Sequence, residues 1–185
     1  MFAGHFGIAA AAKGKANRLP LWSLIVSSQL LDIVFLLLFL MGIEGVGATI
    51  EGGKGTVIRA EYSHSLLSAI LLSVVAGYLA SRRWGKNSGI VIGSVTFSHW
   101  ILDLIVHVPD LPILPGNIGN FQYLGFGLWQ YPFISMLLEG LIVLVGAIIY
   151  IRYVYKNSER KWSRKGLLNI SLVAAFLTLS FVFSV

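Results

Sequence analysis

Ser98-His-Trp-Ile-Leu-Asp-Leu-Ile-Val-His-Val-Pro-Asp110 is a hydrophobic run carrying three groups that hydrocarbon excludes. His99, Asp103 and His107 stand at i, i+4 and i+8, so on a helix all three point the same way, with neighbours about 5–6 Å apart. That face suits one ion. Placing a carboxylate in a membrane span costs roughly 2.5–3.5 kcal/mol on the most lenient scale, and it is tolerated where the group meets a partner or water.

The surrounding composition says that this helix lies in a membrane. Of 185 residues, 56% are hydrophobic and 12% charged, and the mean hydropathy is +0.80, outside the range of soluble domains. The length suits about five spans of roughly 20 residues, so the expected fold class is an all-α polytopic membrane helical bundle, a single integral membrane domain over residues 1–185. Cysteine is absent, which removes disulfides and thiolate ligands and leaves nitrogen and oxygen for any metal.

The net charge of +6 does not imply nucleic acid. Lys13, Lys15 and Arg18 form one cluster, Arg82, Arg83 and Lys86 a second, and Arg152, Lys156, Arg160, Lys161, Arg164 and Lys165 a third; only Lys54 and Arg59 fall elsewhere. The clusters occupy alternate gaps between apolar runs, which is the positive-inside pattern, with anionic lipid headgroups as the expected partner.

Five transmembrane helices follow, at Leu21–Ile43, Tyr62–Ser81, Ser88–Val108, Leu128–Ile151 and Gly166–Val185, preceded by a short N-terminal half-helix over residues 2–12. Pro20 opens the first span, and Asp32 interrupts it three residues after Gln29. His64 is expected one turn inside the second, and the third begins with Gly89-x-x-x-Gly93, a spacing that lets another helix approach closely. Residues 44–61 read as a Gly-rich loop whose Gly52-Gly-Lys-Gly-Thr56 lacks phosphate-loop spacing. Residues 109–127, rich in proline, glycine and aromatics, read as an interfacial belt or a lid. The basic clusters then share the cytoplasmic face and the C-terminus lies outside, as expected of a bacterial or archaeal cytoplasmic (inner) membrane protein.

All four histidines of the chain fall on these segments together with Asp32 and Asp103. Counted from the basic ends at ~1.5 Å per residue, His5 lies ~12 Å up, Asp32 and His99 ~17–18 Å, Asp103 ~23 Å and His64 ~27 Å. With no mid-span lysine or arginine to match the carboxylates, a divalent metal is the simplest counter-charge; a protonated Asp/His relay and plain structural hydrogen bonding are the other readings. Nitrogen and carboxylate ligands suit Zn²⁺, with Mn²⁺ or Fe²⁺ next.

The ordered set Gly-His5, Asp32, Tyr-Ser-His64-Ser and Ser-His99-Trp-Ile-Leu-Asp103 resembles bacterial inner-membrane proteins of the YdjM type, predicted metal-dependent hydrolases distantly similar to zinc phospholipase C and fungal single-strand nucleases. The resemblance covers roughly residues 1–110. It implies that Asp32, His64, His99 and Asp103 hold one zinc and that His5 with Asp103 holds a second. The soluble relatives have a further histidine ten residues after the first of His-x-x-x-Asp, where this chain has Pro109; its extra histidine, His107, comes at eight. His107, Asp110 and Glu139 are candidate additional ligands.

The activity that the resemblance implies is metal-dependent hydrolysis of a phosphoester, at a site opening to the outer side, with Asp32, His99 and Asp103 carrying the chemistry; a site within the bilayer meets a lipid-linked substrate more easily than a soluble polymer. A proton- or metal-coupled transporter using the same cluster is the rival.

Overall fold

The computed structural model describes residues 1–49, 56–157 and 163–184; Lys54, Arg160, Lys161 and most of the Gly52–Thr56 run lie outside them. Its helices are α1 (Phe2–Lys13), α2 (Leu21–Ser28), α3 (Leu30–Leu40), α4 (Leu66–Trp84), α5 (Lys86–Val106), α6 (Pro132–Asn157) and α7 (Arg164–Ser184). Four of them, α4 to α7, are long and apolar enough to cross a membrane, and the bent pair α2–α3 brings the number to five if it counts as one span. The fold is the expected all-α helical bundle. Where a plain loop was expected, β1 (Gly45–Thr49) and β2 (Thr56–Arg59) form a small antiparallel hairpin.

The first span departs from expectation. Instead of one helix over 21–43, α2 and α3 meet at 54° across Gln29, whose φ of −112° and ψ of 9° are not helical. The sequence supplies a cause in adjacent serines. Ser27 Oγ donates to the Ser23 carbonyl at 2.6 Å and Ser28 Oγ to Ile25 at 2.9 Å, and hydroxyls that bond back to the preceding turn bend helices.

The half-helix α1 is present and buried. Ala3, Gly4, His5, Phe6, Gly7, Ala9 and Ala10 are all enclosed, and α1 packs on α6, α2, α7 and α5. Small residues allow this. A methyl on Gly146 of α6 would strike the Gly7 carbonyl, and one on Gly7 would lie 2.9 Å from the Ile142 carbonyl oxygen. The hairpin of α4 and α5 turns on Gly85 alone, at a φ of +90° that L residues rarely adopt. Below the turn, Gly89 and Gly93 lie against Gly77, Ser81 and Ser73 of α4, so the Gly-x-x-x-Gly spacing marks a real close approach.

The β1–β2 hairpin and residues 109–127 together close the end away from the three basic clusters. Residues 109–127 dock instead of floating: the Pro112 and Ile113 carbonyls accept from the Leu66 and Leu67 amides at 3.0 and 3.1 Å, and the Phe126 and Gly127 amides donate to Leu104 and His107 at 2.8 and 2.6 Å. The start of α4 and the end of α5 are thereby satisfied. Phe121, Phe126 and Tyr131 remain exposed on this cap, as interfacial aromatics do. The Tyr123 hydroxyl donates to Glu61 Oε1 at 3.1 Å; burial first, and then that carboxylate, raise its pKa above the ordinary tyrosine value.

The close α4–α5 approach yields a test. Gly89→Val places a side chain where even a methyl meets the Gly77 carbonyl oxygen at 2.5 Å, and overpacking of this kind typically costs about 1–3 kcal/mol. Thermal unfolding in detergent should show a lowered midpoint for Gly89→Val, while Gly45→Ala, which has open space around it, should leave the midpoint where it is.

Candidate metal centre

The site is assembled from four stretches at the capped end of the bundle. Asp103, in the last turn of α5, lies between three imidazoles: its Oδ2 is 3.0 Å from His99 Nε2 and 3.5 Å from His64 Nε2, and its Oδ1 is 3.3 Å from His5 Nε2. The Met1 amino nitrogen lies 3.2 Å from the same Oδ1. Asp32 Oδ1 is 3.5 Å from both His64 Nε2 and His99 Nε2. The His5 and His99 rings stack at 3.7 Å. His5, His64, His99 and Asp103 are buried, whereas the Asp32 side chain is 42% exposed.

Local structure explains each position. His99 and Asp103 share a helix face by their i, i+4 spacing. Asp32 falls in the first turn of α3, because the span breaks just before it, and a carboxylate is favoured at a helix N-terminus. The other side of the break serves His99: Ser28 ends α2, so its carbonyl has lost its helical partner and accepts from His99 Nδ1 at 2.6 Å. His64 was expected inside the second span. It lies just before α4 instead, since Ser65 is the cap residue and accepts from the Ser68 amide. Trp100 Nε1 donates to the His64 carbonyl at 2.9 Å, and Ser63 Oγ lies 2.8 Å from His64 Nδ1.

These atoms pass a test of fit for a metal. A tetrahedral shell with bonds of about 2.0–2.1 Å has edges of about 3.3 Å; Asp32 Oδ1 and Asp103 Oδ2 each lie 3.0–3.5 Å from His64 Nε2 and His99 Nε2. His99 Nε2 is buried yet makes no hydrogen bond to any described residue, as a ligand nitrogen aimed at a common centre would not. With His99 Nδ1 and His64 Nδ1 both occupied by oxygen partners, Nε2 is left as the ligand atom in each, the arrangement typical of metal-bound imidazole. Two ligand groups, His5–His99–Asp103 and Asp32–His64–His99, meet the spacing of a metal site. The protein thus contains a His/Asp cluster, largely buried, that could hold a metal ion.

The remaining candidates lie outside those two groups. α5 ends at Val106, ahead of Pro109, and His107 has an extended ψ of 144°, so it leaves the face shared by His99 and Asp103. Its Nδ1 pairs with Asp110 Oδ1 at 2.9 Å and its ring lies 4.3 Å from that of Trp129. Asp110 Oδ2 also accepts from the Ile58 amide. Glu139 Oε1 accepts the Ala3 and Gly4 amides at 2.8 and 3.2 Å, capping the first turn of α1. His107 does share the cavity of about 410 Å³ onto which His5, Asp32, His64 and Asp103 open, along with Phe35, Trp129 and Phe183.

Glu44 is a positioning residue that sequence reasoning missed. Buried at the end of the first span, its Oε1 accepts from the Tyr62 and Ser63 amides at 2.7 and 2.8 Å, fixing the turn that presents His64. An acid at the edge of a Gly-rich loop carries little signal. Loss of the groups that orient a ligand typically lowers metal affinity 10–100-fold, so Glu44→Ala should weaken divalent-ion binding by up to about that factor in calorimetric titration of metal-stripped protein, with Glu44→Gln, which keeps an acceptor oxygen, closer to the parent. No protein-family model, curated protein or solved structure matches the chain.

Proposed function

We propose that this is an integral-membrane metal-dependent hydrolase acting on a phosphoester, with the YdjM-type resemblance as the family expectation. The observation that carries the reading is that Asp32 and Asp103 each lie 3.0–3.5 Å from both His64 and His99 beside a cavity large enough for a small-molecule group. Zn²⁺ is the expected ion, Mn²⁺ or Fe²⁺ the alternatives, and a bound ion would lower the pKa of water and polarise a phosphoryl oxygen.

The residues divide the remaining work. Asp32 is the open carboxylate of the group and can orient an attacking water and accept its proton. Hydrolysis joins that water oxygen to phosphorus and breaks one P–O ester bond, the leaving oxygen taking up a proton. His107 is held by Asp110, which leaves Nε2 to hydrogen-bond a substrate oxygen in the cavity. His5 pairs with Asp103 Oδ1, and with that carboxylate is the proposed pair for a second ion. Apolar lining by Phe2, Phe35 and Phe183 favours a lipid-linked substrate, and placement of the cavity at the end opposite the basic clusters agrees with access from the outer face.

Purified protein should carry at least one equivalent of zinc, and Asp103→Asn should remove it with the helical circular dichroism retained. Hydrolysis of a chromogenic phosphodiester should fall at least about 100-fold on chelation or in Asp103→Asn. Folded parent protein without metal would overturn the reading, and ion flux in proteoliposomes without hydrolysis would favour a transporter.

A further inference from the structure

A second cavity, of about 540 Å³, lies in the bundle wall away from the metal centre. The helices α2 and α4 both pack on α5 but scarcely on each other, and the cleft between them is floored by Ser23, Ser27, Ala80 and Ile92, all buried. The two serines contribute small size and no free polarity, because their hydroxyls are bonded to the Pro20 and Ser23 carbonyls. Val26, Val75 and Leu79 stand along the cleft and are exposed. The groove is thus open sideways, toward hydrocarbon.

Its length and its one charged end suggest what fills it. From Leu72 to Arg83 of α4 the groove runs about 16 Å, close to half of a hydrocarbon core of about 30 Å, so it spans one leaflet. Arg83 lies at its basic end beside Trp22 and Trp84, whose rings meet edge-on at 6.0 Å as interfacial tryptophans can. Neighbouring Arg82 is engaged by the Tyr78 hydroxyl at 3.3 Å. Arg83 makes no hydrogen bond or ion pair with any described residue, so its guanidinium is available to a phosphate.

We infer that the α2–α4 groove is a binding site for one anionic glycerophospholipid of the leaflet at the basic end, with an acyl chain over Ser23, Ser27 and Ala80 and its phosphate on Arg83. The complementarity of an unpaired guanidinium at the mouth of an apolar channel favours this occupant over a second copy of the chain, which would leave Arg83 facing the second copy's own basic cluster. The site does not depend on the metal centre or on hydrolysis.

Native mass spectrometry of detergent-solubilised protein, given phosphatidylglycerol and phosphatidylcholine in equal amounts, tests it. One phosphatidylglycerol should be retained per chain in preference to phosphatidylcholine. Arg83→Ala should reduce that preference by about fivefold, the effect of one basic side chain at a lipid surface, and Ala76→Trp, which fills the groove, should remove retention of both lipids. Thermal unfolding of both variants separates lost binding from lost fold, and Arg83→Ala, an exposed change, keeps the test decisive if Ala76→Trp does not fold. Equal retention of the two lipids, or an Arg83→Ala preference like the parent's, would overturn the inference, as would a dimer that Ala76→Trp dissociates.

Discussion

A carboxylate enclosed by three imidazoles inside an apolar bundle sets the terms for the rest of this structure. Asp103 has His99, His64 and His5 within 3.0–3.5 Å, and burial leaves it little solvent beyond the cavity it lines. Everything nearby serves to keep that group together: the cap that fixes His64, the stacked His5 and His99 rings, and the backbone carbonyl that holds His99. A misplaced ligand here strands a polar group in a low-dielectric interior, where the penalty is largest.

The break at Gln29 is how the bundle reconciles a span with such a site. An unbroken helix would keep the Ser28 carbonyl in its own ladder and Asp32 in mid-helix. Breaking the span exposes one carbonyl for His99 and gives Asp32 the first turn of α3. Non-helical backbone at membrane depth is tolerated where protein or a cavity surrounds it, and Asp32 opens onto a cavity.

Much of this was legible because hydrophobic length and ionisable residues are strong signals in a membrane protein. The i, i+4 pair His99 and Asp103, the basic clusters and the buried half-helix bearing His5 follow from them directly. The kink was not legible, since Ser27, Ser28 and Gln29 interrupt an apolar run without glycine or proline. His107 was misread as a continuation of the α5 face because Pro109 acts two residues ahead of its own position, ending the helix at Val106. The hairpin and the role of Glu44 depend on partners distant in sequence, which local periodicity does not report. How close five side chains come was beyond axial counting, which spread them over ~15 Å of depth while tilt, kink and cap drew their ligand atoms together.

The packing of α1 has a consequence for assembly. Every residue of the cluster lies in the first 103 positions, yet α1 is too short to hold a place in the bilayer unaided, and it is held by Gly7 against Gly146 and by the Glu139 carboxylate, both on α6. During synthesis from the N-terminus the ligands are made early, but the wall against which His5 rests arrives later. The cluster therefore becomes complete only after α6 has entered the bundle, so its final geometry is a late product of biogenesis, and an unfinished chain presents the ligand atoms of α5 without the His5 that α6 holds in place.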